Sequence, residues 1–238
     1  MARIRERFGL IVGIVLCSVL PSGFWRDITV PIATVVLSVK GTVLFGNAER
    51  NRFETVTTKT LIRGGDTVRA MEGASVDLLL FPGALAQLLG NSEIKIEQLT
   101  MVKDGNETSD GLRDRSAHIR LQRGKIILLF YRSDTTPSQL IITTGDLTVS
   151  GNSDSLFMVW TDGTKARVTC AKKNVLASAD AQPSITASAG YFLPWPASNT
   201  KPLVAADDPS AQIDVDESLQ AGEQLQSEWS AWQNRQPF

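Results

Sequence analysis

The chain has 238 residues, 42% of them apolar and 21% charged, with 24 basic and 25 acidic side chains for a net charge of −1. That length and balance suit one substantial domain with appendages and argue against global disorder. They also argue against a nucleic-acid partner, because domains that bind one carry a strong basic excess. The charge is uneven: Asp207, Asp208, Asp214, Asp216, Glu217, Glu223 and Glu228 fall within residues 202–234 with no Lys or Arg among them.

At the N-terminus, Arg3, Arg5 and Arg7 precede an apolar run over residues 10–20, which Pro21, Ser22 and Gly23 close. A basic start followed by about a dozen apolar residues is the layout of an export leader. The reading is an apolar leader helix over residues 1–25, either cleaved as a signal peptide or kept as an inner-membrane anchor over residues 8–25. Either outcome places the body in the periplasm or facing it.

Residues 28–197 are rich in Val, Ile, Leu and Thr with a period of two, the pattern of half-buried strands. Strands are predicted over 34–45 (broken at Lys40-Gly41), 61–68 around Gly64-Gly65-Asp66, and 75–87, interrupted by Pro82-Gly83. Pro-Gly suits a type II turn, in which Gly supplies the positive φ. Further strands are predicted over 93–97, 119–130, 140–149, 156–161, 165–171 and 185–193, with 103–116 a hydrophilic loop. Many short strands without a long helical period predict an all-β domain, either a sandwich or an irregular β-solenoid.

After Pro194-Trp195-Pro196 the composition changes, and residues 198–213 read as a linker within an acidic tail over 198–238. From there Val215, Leu219, Leu225, Trp229 and Trp232 follow the spacing of one face of an amphipathic helix. Asp214 is the expected cap, with Glu217 three residues on as in a capping box, and Pro237 the expected stop. Two tryptophans on one face imply packing, against the chain's own domain or against a partner. Leu225, Trp229 and Trp232 are therefore the candidate partner-binding residues.

Reactive residues are few. Cys17 lies in the leader and Cys170 stands alone in A-R-V-T-C-A, the setting of a small buried hydrophobe. His118 is the single histidine and alternates with Ala117 and Ile119, which puts it on a solvated face and leaves no two-histidine metal site. Ser92-Glu93-Ile94-Lys95 matches S-x-x-K, but its strand pattern sends Ser92 and Lys95 to opposite faces, where a Ser–Lys catalyst needs one helical turn. Asp104, Asn106, Thr108 and Asp110 resemble the start of a calcium loop, yet Ser109 stands where Gly is needed and Arg115 where Glu is. A cell-wall hydrolase would need two convergent carboxylates, Glu93 with Asp77 being the candidates. The expectation is a non-catalytic chain with no cofactor and no metal.

The order of several weak motifs is more specific than any one of them. V-K-G-T-V at 39–43 is followed by L-I-R-G-G-D-T-V at 61–68 and the strand–Gly–strand unit at 75–87. Then come I-R-L-Q-R-G-K at 119–125, I-I-T-T-G-D-L-T-V-S-G at 141–151 and Ala189-Gly190-Tyr191. This arrangement resembles the FecR-type periplasmic domain, in a stand-alone form without the cytoplasmic anti-sigma segment. The resemblance implies an exported module that binds a protein or envelope component. It also implies an alternative, a single-span regulator working with a separate cytoplasmic anti-sigma or sigma partner.

Overall fold

Alternating apolar residues cut by frequent turns fold into strands and one long helix in the computed structural model, which describes residues 27–47, 52–105, 111–132, 134–151, 154–179, 183–196 and 201–235. The expected leader over 1–25, most of the calcium-like loop and Pro237 lie outside the described residues. In chain order the strands are β1 (Asp27–Pro31), β2 (Ala33–Lys40), β3 (Val43–Asn47), β4 (Arg52–Thr55), β5 (Leu61–Arg63), β6 (Thr67–Ala70), β7 (Ser75–Phe81), β8 (Ala84–Leu88) and β9 (Ser92–Asp104). They continue as β10 (Leu112–Phe130), β11 (Ser138–Thr144), β12 (Leu147–Gly151), β13 (Ser155–Thr161), β14 (Ala166–Lys172), β15 (Asn174–Ala179), β16 (Ile185–Ser188), β17 (Tyr191–Trp195) and β18 (Leu203–Val204). A 3-10 turn (Ala205–Asp207) leads into helix α1 (Pro209–Gln233). Among the described residues no helix is long and apolar enough to cross a membrane.

The strands build two sheets. Sheet 1 runs β4–β3–β6–β9–β10–β11–β12–β15–β16, with β1 beside β6 on the same edge of β9. Sheet 2 runs β5–β2–β7–β8–β10–β13–β14–β17–β18. Every pair is antiparallel except β10–β11. The inward faces form one core in which Val43, Val68, Ile94, Ile96 and Ile119 of sheet 1 meet Val76, Leu78, Leu88, Leu128 and Val168 of sheet 2. The domain is therefore a β-sandwich, the first of the two predicted architectures.

One strand belongs to both sheets. β10 pairs with β9 in sheet 1 up to Arg123, then with β13 from Gly124 and with β8 from Ile126 in sheet 2. The corner is Gly124, at φ +86°, and a Cβ there would stand 2.5 Å from Ser92 Cα. Ser92 Oγ accepts the Lys125 N–H at 2.8 Å across this contact. Only glycine meets both demands, a left-handed backbone and a neighbouring chain in the space of its side chain. The Pro82-Gly83 turn also forms as predicted, with Gly83 at φ +94° between β7 and β8.

Two expectations are corrected. Residues 103–116 are not one loop: β9 extends to Asp104 and β10 starts at Leu112. Cross-strand charge pairing stabilises this polar end, with Arg113 2.7 Å from Asp104 and 3.3 Å from Asp27 on β1. The helix likewise starts at Pro209 rather than beyond Asp214. Asp208 is the N-cap, its Oδ1 accepting from the Ser210 N–H at 2.8 Å and the Ala211 N–H at 3.1 Å. Pro209 fills the first helical position, where no N–H is needed. The described part of the expected linker, residues 201–213, holds β18, the 3-10 turn and the start of the helix.

Gly124→Ala is expected to lower the unfolding free energy by about 3 kcal/mol or more, combining backbone strain with a clash. Gly145→Ala is expected to cost only about 1 kcal/mol, because nothing lies within 4 Å of a Cβ at that φ of +57°. Urea unfolding of both variants checks this, and equal losses would contradict the corner assignment.

Candidate functional site

The outer face of sheet 2 is apolar as well as its inner face, so it needs a cover. Leu37, Leu79, Leu85, Ile127, Leu156, Met158 and Phe192 all point outward and are buried. Helix α1 supplies the cover. Ala211 and Val215 pack with Phe192, Ala221 with Ile127, Leu156 and Met158, and Leu225 and Trp229 with Leu37, Leu79 and Leu85. At 1.5 Å per residue the helix is about 37 Å long, enough to cross seven strands spaced about 4.8 Å apart. Small side chains bring it close: a Cβ on Gly222 would meet Leu156 Cδ2 at 2.7 Å.

The three residues singled out from sequence lie at the C-terminal end of this seam. Leu225 is fully buried and Trp229 is 9% exposed, both against the chain's own sheet. Trp232 is half-buried and stacks on Trp229, with ring centroids 5.2 Å apart.

Two polar nodes interrupt the apolar seam. In the first, near the start of α1, Lys125 Nζ lies 3.0 Å from Asp214 Oδ1 and 3.0 Å from Glu217 Oε2. Arg167 pairs with Asp214 Oδ2 and donates to Ser210 Oγ at 2.7 Å. The expected capping box thus gives way to a clamp: Asp214 is 1% exposed and joins α1 to β10 and β14. Burial acts to lower the Lys125 pKa, but hydrogen bonds to Glu217 and Asp214 outweigh it and hold the ammonium above its ordinary value.

The second node lies under the other end of the helix. Asp77 is fully buried and accepts from Ser38 Oγ at 2.7 Å, Gln87 Nε2 at 2.8 Å and Gln224 Nε2 at 2.8 Å. Glu228 lies beside the same carboxylate, its Oε1 accepting from Gln224 Nε2 at 3.2 Å, and its own carboxyl is raised to about 7, by burial first and by Asp77 second.

Next to the first node, sheet 2 keeps an open hollow of about 260 Å³. Trp160, Phe192, Pro194 and Trp195 form its apolar walls, while Lys165, Arg167 and Asp208 are its polar lining. The Arg167 guanidinium lies 5.6 Å from the Trp160 ring centroid, and Trp195 Nε1 donates to Asp146 at 2.8 Å. The hollow begins where the helix cover stops, at the Asp208 cap. Nothing in the chain pattern marks it, since its residues come from β13, β14, β17 and the turn before α1.

The other candidate groups are held by structural partners. Glu93 is bound by Arg69 at 2.9 Å and Arg123 at 3.3 Å in sheet 1, so it does not meet Asp77 in sheet 2. Ser92 bonds the Lys125 amide, and Lys95 lies three residues on along the same strand. Cys170 is fully buried, and burial pushes its thiol up to about 11. His118 Nε2 is half-buried 3.2 Å from Glu97, which Arg120 also binds at 2.5 Å. Asp104 is paired to Arg113.

No protein-family model and no curated protein matches the chain. Among solved structures it is similar to two crystal structures of a candidate anti-sigma factor from Parabacteroides distasonis, at 1.65 Å and 2.50 Å resolution. The identities are 11% and 13% and the TM-scores 0.40 and 0.39, each over 58% of this chain and 57% of that one. The match thus spans little more than half the length of those chains.

Asp214→Ala leaves Lys125 and Arg167 without their shared partner and is expected to lower stability by about 3 kcal/mol. Asp216→Ala, exposed on the same helical turn, is expected to change it by no more than about 0.5 kcal/mol. Chemical unfolding separates the two.

Proposed function

We propose that the chain is an exported, non-catalytic module of FecR type that works by binding another protein of the cell envelope. The observation that carries this reading is the hollow of Trp160, Phe192, Pro194 and Trp195 beside Lys165 and Arg167. Aromatic and proline walls next to cationic groups suit a partner segment that presents an apolar side chain beside an acidic one. The engagement of Asp77, Glu93, Asp214, Ser92 and Cys170 in packing and internal pairs supports binding over catalysis. The motif order over residues 39–195 supports the FecR comparison, and the basic–apolar start over residues 3–20 supports export.

The binding reading predicts that the full chain retains a specific protein from envelope extracts. A Trp160→Ser/Lys165→Glu variant with an unchanged melting temperature should lose it. Equal capture by the variant, or no specific capture by the wild type at any salt concentration, would count against the hollow. Export is checked separately by N-terminal sequencing of the mature protein. A start near residues 19–26 indicates a cleaved leader, and an intact apolar run in the membrane fraction indicates the anchored regulator. An intact chain in the cytosol would contradict both.

A further inference from the structure

We infer that a protonated Glu228 donates to Asp77, and that this proton latches the C-terminal half of α1 onto the outer face of sheet 2.

The geometry is a row of outward-facing residues that crosses the sheet. Ser38, Asp77, Gln87, Ile127, Met158, Thr169 and Phe192 stand side by side on β2, β7, β8, β10, β13, β14 and β17. Ile127, Met158 and Phe192 make the β10–β17 part of this row largely apolar under the helix, but on β7 a fully buried carboxylate stands in it. Burying a carboxylate is costly unless donors surround it. Ser38, Gln87 and Gln224 supply three, and the neighbouring acid is Glu228, whose Oε1 shares the Gln224 Nε2 donor with Asp77. Two ionised carboxylates gathered on one amide repel each other, whereas a carboxyl can donate to a carboxylate.

A second observation points the same way. Glu228 Oε1 accepts from Gln224 Nε2 at 3.2 Å and Oε2 is buried without a well-formed hydrogen bond, while the Ser38 hydroxyl that bonds Asp77 acts on Glu228 too, lowering its pKa by less than burial and Asp77 raise it. A proton on Oε2, donated to Asp77, satisfies both carboxyl groups at once. The groups immediately around the pair are neutral amides and a hydroxyl. Charged or titratable side chains near this end include the exposed Lys40, two residues from Ser38 on the same face of β2, Tyr131, packed on the same apolar cluster and raised by burial, and Arg235, whose Nε donates to the Ala231 carbonyl at 3.2 Å.

The sign of the pH dependence follows from Glu228. Its carboxyl is raised from 4.5 to about 7 in the folded chain. The stabilisation is therefore complete below the unfolded value and is lost as pH rises through about 7. Above that, two negative charges face each other beneath the helix. Leu225, Trp229 and Trp232 then part from Leu37, Leu79 and Leu85, uncovering an apolar strip. The N-terminal half of α1 stays docked, because its node pairs opposite charges, Asp214 and Glu217 with Lys125 and Arg167. The helix is thus held firmly at one end and conditionally at the other.

Amide hydrogen exchange of the full chain at pH 5.5 and pH 8.5, corrected for intrinsic rates, tests the latch. Protection over residues 224–233 should fall at least tenfold at the higher pH, while protection over residues 209–218 changes little. In Glu228→Gln the amide takes the place of the protonated carboxyl, so residues 224–233 should stay protected at both pH values. Equal corrected exchange in the wild type at the two pH values overturns the inference. So does a Glu228→Gln chain that keeps the wild-type pH dependence.

Discussion

A sheet that is apolar on both faces cannot be left with one face in water, and most of this fold follows from that constraint. Sheet 2 carries the runs Leu78-Leu79-Leu80-Phe81, Ile126 to Phe130 and Leu156 to Val159, each burying side chains in both directions. One direction feeds the sandwich core and the other meets α1. Burying each large apolar side chain contributes about 1.5–3 kcal/mol, so the helix is a third layer of the domain. Its small residues follow from the same demand: Ala211, Ser218, Ala221 and Gly222 let a long helix lie close to a crowded surface.

The two layers are tied together at one place in the chain. Gly124 turns β10 from sheet 1 into sheet 2, and the next residue, Lys125, reaches out to Asp214 and Glu217 on the helix. The amide of Lys125 bonds Ser92 while its ammonium bonds α1. The corner of the sandwich and the docking of its cover are therefore set by adjacent residues. Beyond this point sheet 2 stays uncovered at Trp160 and Pro194, which is why a hollow forms there.

Most strands of the sandwich are legible from residue order where one face is wet. Ile94 and Ile96 alternate with Glu93, Lys95 and Glu97, and the strand appears where that pattern puts it. The apolar face of the helix is legible from its spacing, but the surface it covers is not, because that surface shows only as a loss of alternation in sheet 2, a pattern that a buried strand and a buried helix share. Asp208-Pro209-Ser210 falls within the expected linker but is a cap followed by the first helical position. The polar end of β9 and β10 looks like a loop because charged residues sit on both of its faces. Nothing in the sequence marks Asp77 as buried, because its partner Gln224 lies 147 residues away and only the folded chain brings them together.

The central claim is that α1 is structurally required by sheet 2, and a chain shortened to end at Val204 tests it most directly. With Leu37, Leu79, Leu85, Ile127 and Met158 uncovered, that chain should self-associate, bind a hydrophobic reporter dye and lose its cooperative melt. A shortened chain that stays monomeric, dark to the dye and as cooperative in melting as the full protein would contradict the account.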